Sequence, residues 1–298
     1  MSSPEHILPA VNRIDSLFKE SDLENYYLSV QIGEKSFSYC ILDSISNKYI
    51  GVGELRLPLT KGPDEQEIIL PFESFFAKVV ASVPLLRKRF KSSKVIWEGT
   101  KYTFVPEHLF EEREQQNILS LNIPLDPKDS VGHDRLADFS IANVHAIPGK
   151  AKEILTRTFG VDQVPHLSSV LVASIYQNYR EQLIRPKVFL HIREHRFDLV
   201  VMDQFKLYYC NTFDFRQPED LVYFTIFAME QLGFSQDQAE VVLMGRITRN
   251  TQIYTLIFKY LRRVEFAKRN PGYEYSFVFN EIPQHAYYPL LNLNQCGL

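Results

Sequence analysis

The sequence predicts an α+β protein made of two tandem copies of one unit, in which three antiparallel strands are followed by a helix, a strand and a further helix. Three observations carry that expectation. Ile32-Gly-Glu34-Lys-Ser-Phe37 followed by Asp43 returns as Ile192-Arg-Glu194-His-Arg-Phe197 followed by Asp203, each identity lying 160 residues further on. A repeat of this kind sets the architecture before any local reading. Apolar residues alternate with polar ones on both sides of each copy, which is the period of half-buried strands. Val95-Ile96-Trp97 ahead of Gly99 then returns as Val241 to Met244 ahead of Gly245, and Ile147-Pro148 returns as Ile282-Pro283.

In the first copy, Leu28, Val30 and Ile32 form one alternating set and Phe37, Tyr39 and Ile41 a second. Lys48 to Leu57 follows the turn formers Ser44 to Asn47 as a third strand. Pro63-Asp64-Glu65 and Pro71 precede a helix over Phe72 to Phe90 with one apolar face, kinked at Pro84. A short buried strand at Val95 to Trp97, a charged helix over Pro106 to Leu121, a strand near Ser140 to Ile147 and a helix after Pro148 complete the copy. Ser168 to Arg185 reads as a joining helix. In the second copy Val188, Leu190 and Ile192 alternate, then Phe197, Leu199 and Val201, and Leu207 to Phe215 supplies the third strand. Pro218-Glu219-Asp220 opens a long helix that Gly233 ends, with acids placed to suit the helix dipole.

With 298 residues, the chain has room for two domains of about 150 residues each. Its 45% apolar and 13% aromatic content supports real cores. The N-terminus lacks a basic segment followed by an apolar run, and the most lipid-like stretch, Leu221 to Met229, is far short of the roughly 20 residues a spanning helix needs. Three cysteines, Cys40, Cys210 and Cys296, have no metal-type spacing and suit a reducing compartment, so the cytoplasm is expected. A net charge of −3 gives no general attraction to nucleic acid or to anionic membrane.

Asn211-Thr-Phe-Asp-Phe with Pro218-Glu219-Asp220, the helix ending Glu230-Gln-Leu-Gly233 and the strand ending Leu243-Met-Gly245 resemble a family of small bacterial proteins of unknown function with an actin-like ATPase fold. The resemblance covers nearly the whole chain and implies two ribonuclease-H-like subdomains facing across a cleft, residues 1–185 and 186–298. In active members of that superfamily an aspartate ends the first strand of each half and organises metal and phosphate, while small residues in the next hairpin let peptide N–H groups approach phosphate oxygens. The matching positions here are Gln31 and His191, and neither is an acid.

The first hairpin, Gly33-Glu34-Lys35-Ser36, keeps one glycine but sets an acid beside it. The second, Arg193-Glu194-His195-Arg196, has no glycine, and its arginines offer side chains to an anion. The paired glycines expected of an adenosine loop are reduced to Gly245, followed by Arg246 and Thr248. The resemblance therefore implies a degenerate site with no catalytic residue, no metal ligand and no cofactor beyond a vestigial ATP site. The function expected is that of a pseudo-ATPase scaffold or regulatory protein that binds a protein partner. The alternatives are a weak nucleotide-binding protein or ATPase using Lys35, Ser36, Arg193, Arg196 and Thr248, and an RNA-associated protein using basic patches.

Other motifs have plain structural readings. Asp43 and Asp203 follow the second strand of each copy, where aspartate is a turn residue. His191-Ile-Arg-Glu194-His195 matches an inverted zinc-peptidase pattern, but that chemistry needs a helix and the surroundings alternate as strands. The basic runs Arg87 to Lys91 with Lys94, and Lys259, Arg262, Arg263, Lys268 and Arg269, read as helix ends and solvated faces. Tyr208, Tyr209, Phe213, Phe215, Tyr223, Phe224 and Phe227 are placed mostly in the core, whereas Tyr273, Tyr275, Tyr287 and Tyr288 are expected at an interface. The chain has no phosphate-binding loop of the GxxxxGK form, no dinucleotide fingerprint and no nucleophile elbow.

Overall fold

The computed structural model describes residues 9–56, 71–237 and 239–298. The chain divides into two compact units: Met1–Val170 with Pro271–Glu281 and Leu293–Leu298, and Leu171–Asn270 with Ile282–Asn292. This division is interleaved: the second unit takes up the chain at Leu171, and the C-terminal segments are shared between the units, where the sequence suggested a single cut at Arg185-Pro186.

In the first unit β1 (Pro9–Ile14) precedes the meander β2 (Tyr26–Gly33), β3 (Ser36–Asp43) and β4 (Lys48–Arg56). Helix α1 (Phe72–Ser82) and strand β5 (Ser92–Glu98) follow. Residues 57–70, which include Pro63 to Glu65, lie outside the described segments. The helix stops at Ser82 and does not run kinked to Phe90: Val83 precedes a proline, which disfavours helical backbone, and Pro84–Arg87 forms a separate 3-10 turn. The sheet order is β1-β4-β3-β2-β5. One face buries Leu28, Val30, Ile32, Phe37 and Tyr39 against Phe75, Val79 and Trp97, each side chain contributing about 1.5–3 kcal/mol.

The chain then builds a second, three-stranded sheet in the order β6-β8-β7 from β6 (Tyr102–Pro106), β7 (Asp129–Leu136) and β8 (Ile141–Pro148), with α2 (Gln115–Ser120) packed on it. Helix α3 (Gly149–Phe159) returns to the main core, and α4 (Leu167–Tyr179) leads towards the second repeat. The expected helix over Pro106 to Leu121 is thus two 3-10 turns and one short helix.

The second unit repeats the meander as β9 (Lys187–Ile192), β10 (Arg196–Asp203) and β11 (Lys206–Asp214). Then come α5 (Pro218–Gln231), β12 (Glu240–Gly245), α6 (Gln252–Tyr260) and β13 (Arg263–Phe266), giving the order β11-β10-β9-β12-β13. Pro218 starts α5, whose first turn is held by the Asp220 carboxylate accepting from Arg216 and Gln217 N–H, and Gly233 ends it at φ 73°. Strand β14 (Glu274–Tyr275) returns to β4 in the first unit, and α7 (Tyr288–Asn292) belongs to the second.

The 160-residue displacement is reproduced in the pairing. Ile32 lies opposite Phe37 and Ile192 opposite Phe197, and the bulges fall between Ile41 and Leu42 and between Val201 and Met202. The fifth strand differs. Where β13 lies beside β12, the first unit has only a bridge at His166, with Trp97 N–H donating to Pro165 carbonyl at 2.9 Å. The Ile147-Pro148 and Ile282-Pro283 match is therefore not a structural anchor: the first pair ends β8 in the small sheet, and the second lies outside any strand.

Candidate functional site

The strand-end position of the second unit is filled by a buried polar network. His191 on β9 lies opposite Asp198 on β10, both on the sheet face away from Leu190 and Leu199. Asp198, only 1% exposed, receives His191 Nδ1–H at Oδ2 at 2.8 Å, and at Oδ1 Arg193 Nη2 at 2.8 Å and the Thr212 hydroxyl at 2.7 Å. Burial pushes this carboxyl up, but the Arg193 charge, with hydrogen bonds from His191 and Thr212, outweighs burial and holds it well below the usual carboxylate range. The acid is engaged from three sides.

The hairpin beside it spends its cations in the same way. Arg193 N–H closes the turn on Arg196 carbonyl at 2.8 Å, Arg196 Nε meets Asp214 at 2.6 Å, and Arg246 reaches back to Glu194 at 3.2 Å. Glu194 and His195 are exposed. His195 therefore stands on the hairpin while His191 points into the sheet on Asp198, so the two imidazoles of the zinc-like pattern are not on a common helix face.

Gly245 ends β12 at φ 86°, where a Cβ would lie 2.3 Å from the Ile192 carbonyl, and Arg246 N–H donates to that same carbonyl at 2.7 Å. A side chain does not fit there, so the close parallel pairing of β9 and β12 by itself requires glycine at this position. His285 presents its carbonyl to Gly245 N–H at 2.9 Å and donates Nε2–H to Ile247 carbonyl at 2.6 Å, its ring stacked on Phe266. Burial lowers the His285 pKa, and the bond to Ile247 opposes this only in part. Thr248 is exposed, and its carbonyl accepts from Thr251 at the start of α6.

In the first unit Gln31 Nε2 donates to Glu98 Oε2 at 2.9 Å. Gly33 lies opposite Glu98 in the β2–β5 pairing, and a Cβ there would stand 2.9 Å from the Glu98 carbonyl, so this glycine too has a packing reason. Glu34 and Lys35 are exposed at the turn and Ser36 is half-buried. Asp43 holds its turn by accepting from Ile45 N–H and the Ser46 hydroxyl.

The named positions thus gather within their own unit, Gln31 to Ser36 in the first, and His191 to Arg196 with Gly245 to Thr248 in the second. Asp198, Thr212 and Glu98 were not among them. The signal was present for Asp198, since an acid in an apolar strand, just across a short turn from His191 and Arg193, requires a partner.

Two other readings change. Tyr288 is buried and Tyr273 and Tyr275 pack on Tyr49, whereas Tyr223 and Phe227, placed in the core by helical period, are exposed. The basic runs are dispersed: Lys88 pairs with Glu20, Lys91 meets Ser44 and the Tyr27 ring, Arg262 pairs with Asp237, and Arg269 donates to Ile282 carbonyl. Among the described residues no helix is long and apolar enough to cross a membrane.

The strand order of the two units is that of the actin-like ATPase fold. A protein of that fold and of unknown function from Bacteroides thetaiotaomicron VPI-5482 is similar over 85% of this chain and 94% of its own, at 18% identity and a TM-score of 0.72. A chain of the PilM-PilN type IV pilus biogenesis complex is similar over 89% of this chain and 96% of its own, at 10% identity and a TM-score of 0.58. No curated protein matches. The family described as Protein of unknown function (DUF3822) matches residues 15–264, and the chain belongs to that family.

Proposed function

We propose that this chain is a pseudo-ATPase: an actin-like protein that does not hydrolyse ATP and acts by binding a protein partner. One observation carries the reading. Asp198, the carboxylate next to the second strand-end position, has both oxygens committed to His191, Arg193 and Thr212 inside the sheet. Holding a metal would require that network to open and leave Arg193 without its counter-charge, at a cost of about 3–5 kcal/mol. Arg196 and Arg246 are likewise turned to carboxylates. The similarity to a chain of a pilus biogenesis complex supports an assembly role for the frame. Calorimetric titration with Mg·ATP tests the reading: no binding heat and no phosphate release are expected, and turnover contradicts it.

A second reading, weak nucleotide binding, draws on Glu98. This carboxylate is half-buried at the end of β5 beside Gly33 and accepts a hydrogen bond from Gln31 at the first strand-end position. Glu98→Gln decides between them: nucleotide binding that disappears in this variant favours the second.

A further inference from the structure

Helices α5 and α6 pack side by side on one face of the second unit's sheet. α5 leads from β11 to β12 and α6 from β12 to β13, two steps in the same direction across the order β11-β10-β9-β12-β13. β11, β12 and β13 all run parallel to β9, and right-handed crossovers between parallel strands put both helices on the same side. The helices therefore run the same way, and both end on the side of the sheet where β12 and β13 begin. Leu221, Val222, Ala228 and Met229 of α5 and Ile257 of α6 fill the core beneath them.

Their outer faces are open. On α5 the exposed residues Glu219, Tyr223, Phe227 and Glu230 form one stripe at helical spacing. Tyr223 is 62% and Phe227 48% exposed, with their rings stacked at 6.0 Å. On α6 the exposed residues include Gln252, Thr255, Phe258 and Lys259, and Phe258 is 56% exposed although it stacks on Tyr254 at 5.7 Å. Three large aromatic side chains left to water on neighbouring helices mark an interaction surface. The two helices also differ in sign. Every charged residue of α5 is acidic, Glu219, Asp220 and Glu230. The charged residue of α6 is Lys259, with Arg249 before the helix and Arg262 and Arg263 after it, and no acid falls between Val241 and Val264.

We propose that this two-helix layer is the interface of a symmetric dimer, in which α5 of one copy lies on α6 of a second copy about a two-fold axis that runs parallel to the helices and between them. Such an axis preserves helix direction and brings last turn onto last turn. Glu230 then faces Lys259 of the second copy, and the Tyr223 and Phe227 stripe faces Thr255 and Phe258, each contact occurring twice. The charges choose this axis. An axis perpendicular to the helices would lay α5 antiparallel on α5, setting Glu219 and Asp220 against Glu230, acid on acid, and would set Lys259 near the arginine-flanked start of a second α6; like charges placed together across an interface disfavour it. This inference is independent of whether nucleotide binds.

Sedimentation or light scattering of the full chain is expected to give a species of twice 34.8 kDa. Glu230→Lys and Lys259→Glu, both on exposed positions, should each weaken the dimer about tenfold. Mixing the two variants should restore it, since each Glu230–Lys259 contact is then replaced by one between opposite charges, and so should both changes in one chain. Phe227→Ser should give a folded monomer. A chain that stays monomeric at high micromolar concentration, a dimer indifferent to Phe227→Ser and to both charge changes, or charge variants that fail to rescue each other would overturn the proposal.

Discussion

Asp198 accepts the Nδ1–H of His191 from the neighbouring strand at 2.8 Å, both groups being almost fully buried. Arg193 shares that carboxylate, so the acid beside His191 holds an arginine. Asp198→Asn keeps the size and removes the charge. It is expected to destabilise the protein by about 3–5 kcal/mol in urea unfolding, since the buried Arg193 loses the carboxylate charge that faces it; a loss under about 1 kcal/mol would show the network to be open to water.

The same carboxylate gives acid sensitivity of a definite sign. Its folded pKa is depressed, so its stabilisation is full above the unfolded value of about 3.9 and is lost as pH falls through the folded one. Urea midpoints taken between pH 5 and pH 2 should fall more steeply for the natural chain than for Asp198→Asn.

His285 acts in a higher window. Its folded pKa is lowered from the usual 6.5, so the unfolded chain binds the extra proton first and stability declines as pH drops below that value. His285→Gln should remove this slope between pH 7.5 and pH 5.5 in denaturation curves, and a slope that survives would place its origin elsewhere.

Gly245 and Gly233 both have positive φ, but only Gly245 is crowded. Gly233→Ala should cost about 1–2 kcal/mol, the ordinary cost of left-handed backbone. Gly245→Ala should cost clearly more, because its Cβ would strike the Ile192 carbonyl 2.3 Å away. Thermal melts of the two variants make the comparison.

The duplicated meander was legible because a period of two and four repeated identities mark the strands of both copies; the matching bulges at Ile41 and Val201 are seen only in the structure. The small sheet was not. Strand β7, Asp129-Ser-Val-Gly-His-Asp-Arg-Leu136, is largely half-buried and lacks a clean apolar alternation, and β1 has only Pro9 to Ile14 to show. The repeated Ile-Pro misled because two identities carry no register. At the site, the expectation that Gln31 and His191 take the strand-end positions came from the resemblance and not from periodicity. Glu98 required knowledge of which strands lie side by side, since β2 meets β5 only across 67 residues of sequence.

Titration of the purified chain with Mg·ATP, followed by melting temperature, tests the central claim most directly. A ligand that binds only the folded state raises the melting point. The account predicts no shift at millimolar Mg·ATP, either in the natural chain or in Arg193→Ala. A clear rise in the natural chain that disappears in Glu98→Gln would contradict it.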